Sequence, residues 1–244
     1  MPLPKSLKHR VLALAERAGM LTLLQQRRTR AMGLFVLTYH RVNEPNRTPW
    51  LDPAHISAYP KVFEAHMRLI AGRYAPVCMD EVLAALHGEH SLPKNAVLVT
   101  VDDAYRDFGE VLYPIARRFG IQPVLFVPTA FVGQETFFWW DKLYQAIFWP
   151  ASPLLETPAG TFVLNSPDSK RQAVHRIARY VKSLPVDKAM QLVEELYANS
   201  QRPFPPTRNT LTWDELRSLA EDGVTIAPHT HTHTIMTRVP VARA

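Results

Sequence analysis

Four short runs of apolar and β-branched residues organise this chain: residues 34–40 (LFVLTYH), 97–103 (VLVTVDD), 123–129 (PVLFVPT) and 223–229 (GVTIAPH). Each run is continuous rather than alternating, the pattern of a strand covered on both faces of a parallel sheet. Helical spacing fills the intervals. Phe63, Met67 and Ile70 recur at three- and four-residue steps, which predicts a helix over 63–74. A second helix is expected over 80–86 with Asp80 as N-cap, and a third over 105–119. Thr212 and Glu215 form a capping-box pair at the head of a helix over 212–222, and Gly223 stands at its end. Strands alternating with helices predict an α/β architecture, either a barrel or an open parallel sheet.

The rhythm breaks between residues 130 and 208. This stretch holds the aromatic cluster Phe137-Phe138-Trp139-Trp140-Asp141 and a hairpin signal at Pro158-Ala159-Gly160. Helical patterns follow over 169–183 and 186–200. The stretch reads as a mainly helical insertion after the third strand. The expected organisation is therefore a basic, amphipathic helical segment over 1–32 and a domain over 33–244 carrying the insertion at 130–208.

Composition narrows the functional classes. Hydrophobic residues at 47% and charged residues at 20% are ordinary for a globular protein. The net charge of +6 comes from residues 1–32, where Lys5, Lys8, Arg10, Arg17, Arg27, Arg28 and Arg30 face Glu16 alone. The remainder is balanced, so no nucleic-acid surface is expected on the body of the protein. Arg10, Glu16 and Arg17 interrupt the apolar residues of the first segment, which argues against a signal peptide or a membrane span. A cytoplasmic location is expected. Packing of residues 1–32 on the domain is preferred to contact with a membrane surface. The single cysteine, Cys78, excludes an internal disulfide and reads as a buried, inert thiol between Val77 and Met79.

The chemistry lies at the ends of the runs. In parallel α/β folds, working residues gather at the carboxyl ends of strands. The four runs end in Tyr39-His40, Asp102-Asp103, Thr129 and His229. His229 and His233, spaced i, i+4, make a two-imidazole, one-carboxylate donor set with one of the aspartates, and that set suits Zn²⁺. The other aspartate is then free to act as a general base. Taken singly, Asp102-Asp103 is also a common turn or helix cap, and alternating His and Thr a common solvated edge. His231 reads as a neighbour of the ligands. His40 either lines the site or ends its strand with a hydrogen bond. His55, His66, His87, His90 and His175 carry no functional reading. The same donor set also serves non-haem iron oxygenases, but their close His-x-Glu spacing occurs only at His87-Gly88-Glu89, in a loop context.

The motifs resemble those of the polysaccharide deacetylases (carbohydrate esterase family 4, the nodulation-factor deacetylase homology domain). Thr100-Val101-Asp102-Asp103-Ala104-Tyr105 is similar to that family's T-F-D-D-G-Y, and His229-Thr230-x-x-His233 to its H-[ST]-x-x-H. Leu37-Thr38-Tyr39-His40-Arg41-Val42, Phe126-Val127-Pro128-Thr129 and Trp140-Asp141 agree with it. The resemblance implies a distorted (β/α)7 barrel, here incomplete, with about the first four strands. It implies Asp103, His229 and His233 as metal ligands, with Zn²⁺ the expected divalent ion. It implies Asp102 as general base and Thr230 as the residue that holds the histidine loop by a side-chain hydrogen bond. His40, Tyr105 and Trp140 are candidates for contact with substrate. The implied activity is hydrolysis of acetyl groups from N-acetylated or O-acetylated sugars of a polysaccharide or oligosaccharide. An inactive carbohydrate- or metal-binding relative is the alternative. Ala104 stands where the family has glycine, so a left-handed backbone there would carry a strain of ~1 kcal/mol. The family's Arg-x-Pro-Tyr-type and late Leu-His motifs have no counterpart before Ala244, which leads to the expectation of a C-terminally incomplete enzyme.

Overall fold

The computed structural model describes residues 33–201 and 204–239; the basic segment 1–32 lies outside the described residues. The elements are β1 (Leu34–Tyr39), β2 (Arg41–Val42), β3 (Ile56–Ala58), α1 (Pro60–Arg73), β4 (Ala75–Pro76), α2 (Met79–Leu86) and β5 (Ala96–Asp102). A π-helical turn, Phe108–Leu112, leads into α3 (Tyr113–Arg118), followed by β6 (Val124–Val127). Next come α4 (Trp139–Phe148), the hairpin β7 (Leu154–Thr157) and β8 (Gly160–Val163), α5 (Pro167–Val181) and α6 (Val186–Ala198). The chain then returns through α7 (Trp213–Glu221) to β9 (Thr225–Pro228).

The four predicted strands form one parallel sheet in the order β1-β5-β6-β9, with β4 paired to the start of β5. Register aligns their ends. Tyr39 lies opposite Val101, Asp102 opposite Phe126, and Val127 opposite Pro228. The residues that follow, His40, Asp103, Pro128 and His229, therefore emerge along one edge of the sheet.

Side chains alternate across β5. Val97, Val99 and Val101 join Phe63 and Met67 of α1 and Phe108 and Leu112 in the main core. Ala96 and Leu98 face the other side, with Val77, Val82 and Val124. The expectation that all four runs are covered on both faces holds for β5 and β6 only. Val36 is 52% exposed on β1, and β9 is half-buried, because each ends the sheet among the described residues and has a single strand neighbour. The fold is thus α/β with a parallel sheet, and that sheet is open rather than closed among the described residues.

Capping chemistry sets the start of α7 and of α2. Thr212 accepts from the Glu215 amide while the Glu215 carboxylate accepts from the Thr212 amide, so α7 starts as expected. At α2 the N-cap is Cys78, not Asp80, because the Glu81 carboxylate reaches back to the Cys78 amide. Cys78 is only half-buried there. The 105–119 helix is instead a π turn followed by a short α-helix.

The stretch after β6 builds its own core. Leu143 and Ile147 of α4 pack with Phe162, Ile177 of α5 and Val193 of α6. The hairpin turns at Pro158-Ala159, with Thr157 paired to Gly160. Among the described residues, no helix is long and apolar enough to cross a membrane.

Candidate metal centre and its cavity

The turn after β5 is strained. Asp103 has φ +76° and Ala104 φ +52°, so both lie in the left-handed region that L-residues with a Cβ avoid. The penalty foreseen for Ala104 is present. The turn is tied to the returning chain: Leu211 N–H donates to the Ala104 carbonyl (3.0 Å), and Arg106 N–H donates to the Asn209 carbonyl (2.8 Å). The histidine loop shows the same conformation at Thr230 (φ +60°) and His233 (φ +54°). Strain at one place over two separate loops is the mark of a site held by its surroundings.

That strain turns Asp103 towards the histidines. Its Oδ1 lies 3.0 Å from His233 Nε2 and 3.7 Å from His229 Nε2, and the two imidazole rings meet edge-on at 4.7 Å. The carboxylate is 1% exposed, and neither of its oxygens has a hydrogen-bond partner. A buried, unsatisfied carboxylate is expensive unless a cation neutralises it. One ligand atom from each of Asp103, His229 and His233 lies within 4.8 Å of the others, so the three residues fit a metal ion. Burial, reinforced by the neighbouring His233, holds His229 below the usual imidazole range, which keeps it neutral and fit to ligate.

Asp102 ends β5 directly before Asp103 and does not join the three. Its Oδ2 lies 3.9 Å from His40 Nε2, and burial raises its carboxyl above the usual range despite the nearby imidazoles. Thr230 Oγ1 accepts the Thr234 amide at 3.1 Å across the histidine loop. The loop is also fastened to β6: His229 N–H donates to the Val127 carbonyl, and Ala130 N–H donates to that of His231. His231 turns away to Thr129 Oγ1, as a neighbour rather than a member of the set.

A cavity of about 320 Å³ opens over these groups, lined by His40, His55, Asp103, Trp140, Lys182 and His233 among others. Trp140 packs edge-on against His233 at 4.8 Å. Two sequence readings change here. Tyr105, a candidate for substrate contact, is 1% exposed and does not line this cavity. Its hydroxyl donates to Asp141 Oδ2 and accepts from Trp140 Nε1, so it braces the wall from behind. His55, left without a functional reading, stacks on Trp140 at 5.1 Å and lines the cavity. Burial pushes His55 down to about 4, so it stands neutral there. The buried pair of Arg41 and Asp107, 2.9 Å apart, was also missed. Its only sequence signal was a charged residue directly after a strand-end histidine.

The site is thus a two-imidazole, one-carboxylate set that could hold a metal ion, at the carboxyl edge of a parallel α/β sheet. The polysaccharide deacetylase family model matches residues 89–244, and this chain belongs to that family. No curated protein sequence matches it. Among solved structures, it is similar to the Streptococcus pyogenes deacetylase PplD in complex with acetate, at 16% identity and a TM-score of 0.48, over 86% of this chain and 61% of that one. The BpsB deacetylase domain from Bordetella bronchiseptica is similar at 19% identity and a TM-score of 0.40, over 80% of this chain and 54% of that one. IcaB from Ammonifex degensii is similar at 18% identity and a TM-score of 0.36, over 78% of this chain and 97% of that one. The chain thus spans less than two thirds of the length of the first two.

Proposed function

We propose that this protein hydrolyses acetyl groups from N- or O-acetylated sugars of a polysaccharide or oligosaccharide. The observation that carries the reading is the Asp103 carboxylate, buried and without a hydrogen bond, against two imidazoles. Asp103, His229 and His233 would hold a divalent ion, and this donor set suits Zn²⁺. Such an ion supplies Lewis acidity, which acidifies water and polarises the acetyl carbonyl.

The other groups then divide the work. Asp102 takes the proton of the attacking water as its oxygen bonds to the acetyl carbon. Burial raises the proton affinity of Asp102 above that of an ordinary carboxylate, which favours that role. The carbon–nitrogen or carbon–oxygen ester bond breaks, the leaving amine or alcohol takes up a proton, and acetate departs. Thr230 keeps the two histidines in register through its bond to the Thr234 amide. His40 and Trp140 form the walls against which the sugar rests.

Acetate release from chitooligosaccharides and from O-acetylated xylan, with Zn²⁺ supplied, tests this reading. Turnover is expected on at least one, with a loss of roughly 10³-fold or more in Asp102→Asn. Turnover that survives that substitution would remove Asp102 from the base role.

A further inference from the structure

The cavity over the candidate metal centre carries a cation that the hydrolysis does not use. Lys182 sits directly after α5, its amide bonded to the Ala178 carbonyl at 3.0 Å, and its side chain lines the same cavity as Asp103 and His233. Its ammonium lies 5.8 Å from the ring centre of Trp139. No carboxylate pairs with it among the described residues. The acids of this cavity are accounted for at its floor. Asp103 faces the histidines, and Asp52, 6% exposed, accepts the Ala54 amide. A second cation with no ion pair among the described residues stands beyond Trp139. Arg238 lines the adjoining cavity of about 150 Å³, which shares Trp139, His233 and Ile235 with the first. Helix-end placement explains a lysine at this position in general terms. It does not explain why the ammonium lies over an aromatic wall beside a chemical centre with no acid to meet it.

We infer that Lys182 is a specificity residue that selects acetylated sugars carrying a negative group, a carboxylate or a phosphate ester, with Arg238 extending the same positive rim. The inference rests on the proposed deacetylase reading and names the substrate class of that site. A space of about 320 Å³ is at the small end of ligand sites, room for roughly one or two sugar units. A sugar ring against Trp139 and Trp140 would bring a charged substituent to the ammonium while its acetyl group stays over the histidines. The ionic contribution at such a half-exposed rim is modest and screened by salt.

Tryptophan fluorescence titrations of the full chain test this, run with a chelator present so that no anion binds through a metal. The probes are N-acetylglucosamine, N-acetylglucosamine 1-phosphate and an N-acetylated hexosaminuronic acid. At low salt, at least one acidic sugar is expected to bind about tenfold more tightly than the neutral one, a gap that shrinks at high salt. Which acid is preferred separates phosphate from carboxylate recognition. The ratio should fall towards one in Lys182→Ala and return in Lys182→Arg, with circular dichroism confirming both folds. Equal affinity of the native chain for charged and neutral sugars, no binding of any of them, or a gap kept by folded Lys182→Ala would each overturn the inference. Metal uptake and turnover of neutral substrates are read separately, so a failure here is told apart from a failure of the deacetylase reading.

Discussion

Two buried aspartates, one at the strand-end loops and one at the seam of the inserted stretch, show how differently burial can be used. Asp141 is 0% exposed, and both of its oxygens are satisfied, by the Asp52 amide and the Tyr105 hydroxyl, each at 2.7 Å. Asp103 is 1% exposed, and neither of its oxygens is satisfied. The first carboxylate joins segments of the fold: it links the loop before β3, the turn after β5 and α4. The second sits on strained backbone with two imidazoles beside it, and a buried carboxylate without a hydrogen bond costs stability. Burial alone therefore does not mark a candidate site; burial without a hydrogen bond, next to two other side chains able to ligate the same ion, does.

The contrast can be broken by substitution. Asp141→Ala leaves the Tyr105 hydroxyl and the Asp52 amide buried and unpaired, and should lower unfolding stability by about 3 kcal/mol in urea. A loss under ~1 kcal/mol would mean that the seam is not held by this residue.

An effect of similar size is expected on pH dependence. Burial raises Asp141 to about 7, so the native state keeps a proton that the unfolded chain has lost. Its stabilising contribution is full below about pH 4 and declines as pH rises through about 7. The difference in stability between the native chain and Asp141→Asn should change by roughly 4 kcal/mol across that window. His55, held down to about 4, acts in the opposite sense and cancels in that difference. A flat difference would contradict the protonated carboxyl.

Asp103→Asn should behave the other way from the Asp141 variants. In chelator it removes a buried carboxylate that has no hydrogen bond, at a backbone position that asparagine tolerates, and thermal unfolding should show a gain of about 1 kcal/mol. Destabilisation would mean that the 3.0 Å contact with His233 Nε2 outweighs the cost of burying the carboxylate. The smallest effect is expected at Ala104→Gly. Relief of the φ of +52° should add about 0.5 kcal/mol, net of the entropy that glycine adds to the unfolded chain.

The strand-end half of the site was legible in the sequence because it depends on short-range facts. Asp102 and Asp103 follow a run of β-branched residues, His229 and His233 follow another, and strand polarity brings both to one edge. The left-handed turn at Ala104 was foreshadowed only through the resemblance, whose motif has glycine at that position. The seam was not. Whether Tyr105 points at substrate or at Asp141 depends on a residue 36 positions away, and Trp140 meets a histidine still further along the chain. His55 looked like loop material because its ring is placed by Trp140, not by its neighbours. The exposure of β1 was hidden as well, since an apolar run does not reveal how many strands flank it.

Zinc titration by calorimetry, on the native chain, Asp103→Asn and Asp102→Asn, tests the central claim most directly. The account predicts one ion per chain for the native protein, an affinity little changed in Asp102→Asn, and a loss of roughly a thousandfold in Asp103→Asn, beyond the 10–100-fold of an outer partner. Zinc binding by Asp103→Asn at native affinity would contradict it.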